Sequence, residues 1–281
     1  MNERPDTITE PYFTVADGRF VPAPHARSWW AATMLHGRLL GGLLARAVEL
    51  AHGSDELHVS RLTVDLFRNA PFAPVRVDTD RVRDGRRIRV AEAVAEIGGE
   101  PVAKASAVLL RLGEQPPGQV PMTPAWDAPP PEDMPPPRHT RYPTRAWRFT
   151  EDNEESRHWA ARGRRRIWLR ETCELVAGEP ISPLVRAALA ADSASPLAHA
   201  ADTGLEFINA DYTLYLGRLP VGDTIGLESG GHTSAQGVAV GHCTMHDLTG
   251  PVGYCMTAAV ANPGVRPPRR RHSEADPATR P

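Results

Sequence analysis

The sequence predicts an α+β protein in which one helix packs on an antiparallel sheet, and predicts that unit twice over. Three observations carry the expectation. A long amphipathic segment, TMLHGRLLGGLLARAVELAHG at 33–53, is followed by four strand signals. A second run of the same kind begins near residue 182, and a stretch rich in proline separates the two.

Taken in order, the first helix has Leu35, Leu39, Leu43, Ala47 and Leu50 on one stripe, Thr33 or His36 at its N-cap and Gly53 at its C-cap. Gly41 and Gly42 lie in its interior, where each costs about 1 kcal/mol relative to alanine. Their presence predicts close approach, a helix gripped by a curved sheet that leaves no room for side chains. Strand signals follow at 58–68, 74–83, 87–97 and 102–112, joined by the hairpin turns RDGRR and IGGEP. Between Gly113 and Pro143 lie eleven of the 28 prolines, a composition that cannot form helix or central strand and reads as a stiff linker over the outside of the molecule. The second unit repeats the order, with a helix near 182–192 and strands near 208–218, 223–231, 236–246 and 251–261.

The two runs read as copies, because Arg68 aligns with Arg218 (218 − 68 = 150) and Gly99 with Gly250 (250 − 99 = 151). The expected division is therefore 1–112, a linker at 113–143, 144–262, and a disordered tail at 263–281.

Composition narrows the function. Lys and Arg total 32 against 34 for Asp and Glu, and a net charge of −2 offers no electrostatic footprint for nucleic acid or an acidic membrane. Three cysteines without CxxC spacing argue against a disulfide framework or a structural zinc site. The start lacks an apolar core of signal-peptide length and no run of about 18 apolar residues occurs, so a cytoplasmic protein is expected. There is no GxSxG elbow, no Walker loop, and no GxGxxG after a strand. His242 and His246 stand four apart, but in a strand that spacing does not put both rings on one helical face.

Several stretches, in this order and spacing, carry a resemblance: HGR at 36–38, RDGRRIRVAEAVAE at 83–96, WLRETCEL at 168–175, LAADSASPLA at 189–198, NADYTLYLGRLPVGD at 209–223 and HDLTGPVG at 246–253. Over residues 25–262 the chain resembles acyl-CoA thioesterases of the type II, medium-chain class and their actinobacterial relatives, which have a double hotdog fold: a long central helix wrapped by an antiparallel sheet, in two tandem copies. The resemblance implies hydrolysis of an acyl thioester carried by coenzyme A or a carrier protein, with no metal and no covalent cofactor. It places the family's water-activating aspartate on Asp211, its hydroxyl residue on Gly230 or Thr233, and its glutamine on Thr257 or Ala258, neither of which is Gln. That departure opens two alternatives, a different reaction on the same scaffold (dehydration, cyclisation or acyl transfer) or a non-catalytic acyl-binding role.

Chemistry assigns the remaining roles. Asp211, at a strand entrance beside Tyr212, is the preferred base, since partial burial raises a carboxylate's pKa, and Tyr212 is expected to contact substrate. Asp192, on the second helix, is the rival acid. Thr233 and Thr257 are the hydroxyls that would orient the water. His36 and Gly37, at the N-terminus of the first helix, supply unpaired N–H groups for an oxyanion, and Gly37 would admit a thioester closely. Asp65 and Arg61, on one face of a strand, read as an ion pair. The oligomeric state, monomer through tetramer, stays open.

Overall fold

The computed structural model describes residues 8–137, 142–156 and 163–262; the tail expected from 263 lies outside them. A small hairpin, β1 (Phe13–Ala16) and β2 (Arg19–Pro22), leads to α1 (Gly37–His52), which is followed by β3 (Leu57–Leu66), β4 (Arg76–Asp84), β5 (Ile88–Ile97) and β6 (Glu100–Arg111). After the proline stretch come β7 (Thr144–Phe149), β8 (Arg166–Glu171), α2 (Pro183–Ala191), α3 (Ala194–His199), β9 (Phe207–Asn209), β10 (Asp211–Leu216), β11 (Thr224–Ala235), β12 (Val238–Asp247) and β13 (Gly250–Ala261). All but β1 and β2 join one antiparallel sheet in the order β4-β5-β6-β3-β10-β13-β12-β11-β8-β7, with β9 also on β13.

Read outward from the middle, the order is β3, β6, β5, β4 on one side and β10, β13, β12, β11 on the other. The same wiring is thus used twice, and β3 and β10 join the runs by pairing antiparallel, with Leu62 opposite Leu214 and Thr63 opposite Thr213. Inward-facing residues on both strands, Leu62, Val64, Tyr212 and Leu214, are buried beneath the helices, which is the alternation a sheet with one covered face requires. The ten predicted strands and helices of the two runs fall within a few residues of these bounds. The hairpin β1–β2, β7, β8, β9 and α3 were not expected.

Helix α1 begins at Gly37 because the backbone before it is bonded elsewhere: Leu35 N–H donates to Ala70 O and His36 N–H to Ala26 O. Its buried face comprises Leu39, Leu40, Gly41, Gly42, Leu43, Leu44, Ala45 and Val48, wider than the predicted stripe, because it packs on the sheet and on α2 together; Leu50 is exposed. The glycines answer that packing. A Cβ on Gly41 would lie 1.7 Å from the Tyr212 hydroxyl, and one on Gly42 2.7 Å from a Leu189 methyl. The missing side chains make room for a tyrosine from the sheet and a leucine from α2.

The second run departs from one long central helix. Ser182 caps α2, accepting from Val185 N–H at 3.2 Å, with Pro183 in the first turn. Helix α2 then ends at Asp192 and α3 starts two residues on. Pro196 explains the break: it has no N–H to give the carbonyl of Asp192 four residues back, which instead accepts from Ser195 N–H at 3.3 Å.

The linker crosses the outer face of the second run. Thr123 meets Tyr254 on β13, Trp126 packs on β12 and β11, and Pro129 O accepts from Trp168 on β8 at 2.9 Å before the chain enters β7.

Candidate active site

A cavity of about 160 Å³ opens between the N-terminus of α1, from the first run, and the α2–α3 break with β7 to β9, from the second. His36 reaches it as the N-cap of α1, its side chain making no capping bond. Asp192 reaches it because the break turns the chain there. The His36 Nδ1 and Asp192 Oδ2 atoms stand 4.0 Å apart, too far for a direct hydrogen bond and close enough for one oxygen to bridge. On its other side Asp192 Oδ1 accepts from Asn209 Nδ2 at 2.9 Å, which sets the carboxyl's orientation.

Electrostatics favour a neutral imidazole and a basic carboxylate. Burial, with help from the Arg38 charge, pushes the His36 pKa down to about 3. Burial raises the Asp192 carboxyl above its ordinary range, against the opposing pull of the Asn209 hydrogen bond and Arg38.

Beside this pair lies a second polar group. Arg38 Nη1 donates to Glu171 Oε1 at 2.7 Å and Nη2 to Thr144 Oγ1 at 2.7 Å, with Tyr12 Oη also in contact; the Tyr12 hydroxyl donates to Glu171 Oε2 at 3.0 Å. Leu39, Ala146, Ile167, Leu169, Leu205 and Phe207 supply apolar wall. Among the described residues no group of His, Cys, Asp and Glu is arranged to hold a metal ion, and no helix is long and apolar enough to cross a membrane.

Of the residues expected from sequence, the structure brings His36 and Asp192 together at this cavity. The others lie elsewhere. Asp211 points away from the helix face that Tyr212 fills; its Oδ1 accepts from Ala258 N–H at 2.7 Å, and Asp65 stands directly across from it on β3. Tyr212 is fully buried under α1 and α2, its hydroxyl donating to Ala188 O at 3.1 Å, so it is core rather than cavity wall. Thr233 is exposed near the β11–β12 turn, and Thr257 is buried on β13 with no hydrogen-bond partner for its hydroxyl among the described residues. A Cβ on Gly37 would make an ordinary van der Waals contact with Leu66, 3.4 Å away and outside the cavity wall, so the missing side chain does not open the cavity. Arg61 donates to Ser106 Oγ at 3.4 Å and forms no ion pair with Asp65.

Asn209, Arg38, Glu171, Thr144 and Tyr12 were not singled out from sequence. Three of them lie inside the quoted stretches HGR, WLRETCEL and NADYTLYLGRLPVGD; the local signal for where the site opens is Pro196, a helix breaker, which was not among the expected residues.

Two family models match the chain one after the other. An acyl-CoA thioesterase N-terminal domain matches residues 26–110, and an acyl-CoA thioesterase C-terminal domain matches residues 117–260. No curated protein matches the chain. Among solved structures, a tesB protein from Mycobacterium avium subsp. paratuberculosis superposes with a TM-score of 0.61 at 17% identity, over 89% of this chain and 94% of that one. The acyl-CoA thioesterase II TesB2 from Mycobacterium marinum gives 0.60 at 18%, over 80% and 90%. A protein with a hot dog fold from Alicyclobacillus acidocaldarius gives 0.63 at 17%, over 88% and 94%. These likenesses carry the fold, which is a hotdog fold; the two family models, spanning nearly all the described residues, carry the kinship: the chain belongs to the acyl-CoA thioesterase family.

Proposed function

We propose that this cavity hydrolyses an acyl thioester, carried by coenzyme A or a carrier protein, with Asp192 as the base. The observation that supports the reading is the 4.0 Å gap between His36 Nδ1 and Asp192 Oδ2, a span one water oxygen fills while hydrogen-bonded to both. Asn209 turns the other carboxylate oxygen away, so Oδ2 is the one left to take a proton.

In the proposed reaction the bridging water attacks the thioester carbonyl carbon and gives its proton to Asp192 Oδ2. The carbonyl oxygen becomes an oxyanion beside the first-turn N–H groups of α1, where unpaired donors and the helix dipole favour negative charge. Collapse of the tetrahedral intermediate breaks the C–S bond. The departing thiolate recovers the proton from Asp192, leaving a carboxylic acid, a free thiol and the regenerated carboxylate. A carboxyl whose pKa is raised by burial suits both proton transfers.

The test is thiol release from a series of acyl-CoA esters by wild type, Asp192→Asn and Asp211→Asn. The expected result is a loss of about a hundredfold or more in kcat for Asp192→Asn, with Asp211→Asn within about threefold of wild type. Wild-type turnover by Asp192→Asn, or the large loss falling on Asp211→Asn, overturns the assignment. Tight binding with no thiol release from wild type would move the protein to an acyl-binding role.

A further inference from the structure

The hydrolytic reading leaves the second polar group of the cavity without a task. Arg38 and Glu171 are charged, mutually bonded and exposed to the same cavity, and a fatty acyl chain gains nothing from them. Charge pairs of this kind cost desolvation energy wherever apolar residues would fill the space. Resting on that reading, we propose that the acyl group taken here is short and carries a neutral oxygen function, a hydroxyl or a keto group, held by the Arg38–Glu171–Thr144–Tyr12 cluster.

Three observations point the same way. The first is depth: side-chain exposure falls from His36 at 22% and Asp192 at 17% to Arg38 at 12% and Glu171 at 4%. The reacting pair is therefore nearer the mouth, and the charged pair is what the far end of an acyl group meets. The second is size. A cavity of about 160 Å³ is comparable to one that accepts benzene, so it takes an acyl portion of about six heavy atoms and not an extended medium chain.

The third is hydrogen-bonding capacity. Arg38 Nε–H has no acceptor among the described residues, while the Tyr12 and Thr144 hydroxyls, already bonded to the pair, keep lone pairs to spare. A neutral group fits better than an anionic one because the charged side chains of the wall balance: Arg38 and Arg148 against Glu171 and Asp192. A carboxylate added at the far end would compete with Glu171 for the same guanidinium.

Matched pairs of thioesters test this: butyryl-CoA against β-hydroxybutyryl-CoA and hexanoyl-CoA against β-hydroxyhexanoyl-CoA, with decanoyl-CoA as the long member. Binding is measured by calorimetry on Asp192→Asn, and kcat/KM on wild type. The oxygenated member of each pair is expected to bind and react at least about tenfold better than its plain partner, with decanoyl-CoA last in both measurements. Thr144→Val, which keeps the shape and removes one hydroxyl, is expected to shrink the ratio within each pair; general damage to the fold lowers both members and leaves the ratio alone. Equal affinity within pairs, a preference for decanoyl-CoA, or no measurable binding of any member overturns the proposal. If wild type releases no thiol from any ester, the hydrolytic reading fails, and the binding ratios on Asp192→Asn still decide the acyl preference.

Discussion

At the scale of single residues, the two glycines of α1 show how a local penalty is offset by a contact far away in sequence. Helix propensity favours alanine at residue 41 by about 1 kcal/mol. The Tyr212 ring stands in the way, with its hydroxyl 1.7 Å and its Cζ 2.8 Å from where the methyl would go, and it is itself held by the hydrogen bond to Ala188 O. Overpacking a site closed on every side costs more than propensity returns. Gly41→Ala is therefore expected to lower stability by about 2 kcal/mol in urea unfolding, and Tyr212→Phe in the same chain to recover part of that loss by removing the nearest atom. A Gly41→Ala protein as stable as wild type would show that the tyrosine moves freely, and that the glycine is not there to admit it. The contrast with Gly37 is instructive, since both were expected from sequence to mark close approach. Tertiary packing alone distinguishes a glycine that admits a core ring from one that faces a leucine methyl.

At the scale of elements, the strap between β6 and β7 carries more structure than its composition suggests. Trp126 stacks on His246 with centroids 4.7 Å apart, tilts against Trp168 at 4.7 Å and Phe149 at 5.5 Å, and donates from Nε1 to Glu228 Oε2 at 2.7 Å. Gly226 beneath it is another enforced glycine, since a Cβ there would lie 2.2 Å from the Trp126 ring. Asp127 and Glu132 then pair with Arg166 and Arg170 on β8, fastening the strap across the sheet. Trp126→Ala removes the central contact and is expected to cost about 2 kcal/mol, discounted from a full core tryptophan because the ring is half-buried. It should also open residues 113–130 to limited proteolysis while the sheet stays folded, with cleavage mapped by mass spectrometry. Loss of stability with no new cleavage would mean the strap is held by its ion pairs instead.

The strap also shows what was legible in the sequence. Its existence and its course over the outer surface followed from eleven prolines, because they exclude helix and central strand. The paired strands and α1 were legible because period-two and helical patterns are local. That Asp192 and not Asp211 lines the cavity was illegible for the opposite reason: which of the two faces the helix N-terminus depends on which face of the sheet each reaches, and on where Pro196 breaks the second helix. Arg38 and Glu171, 133 residues apart, meet only through the joined sheet, and no local pattern announces them.

At the scale of the whole molecule, the two runs meet through the β3–β10 strand pair and the α1–α2 helix pair, with side-chain links such as Arg38–Glu171 and Arg46–Glu179 beside them, so the β3–β10 seam bears on both. Thr213 Oγ1 donates to Thr63 Oγ1 at 3.1 Å across it, between positions 150 residues apart, the repeat read from the sequence. One rung opposes this join: Asp65 stands directly across from Asp211. Lys104, opposite Asp65 on the other side, gives its ammonium to Glu92 at 2.9 Å and does not neutralise the rung. Burial raises the Asp211 pKa, the Ala258 N–H pulls it back, and Asp65 adds to the rise. A carboxyl whose folded pKa is raised binds its proton more readily in the folded state, so its contribution to stability is present at acid pH and is lost as pH rises through the folded value. Asp65→Asn removes the like charge and leaves the Asp211–Ala258 bond intact. It is expected to stabilise the protein at neutral pH by about 0.5 kcal/mol in urea unfolding, the gain fading toward acid pH as Asp211 becomes protonated. A gain that is the same at both pH values, or a loss at neutral pH, would show that repulsion across the seam is not what sets the cost of joining the two runs there.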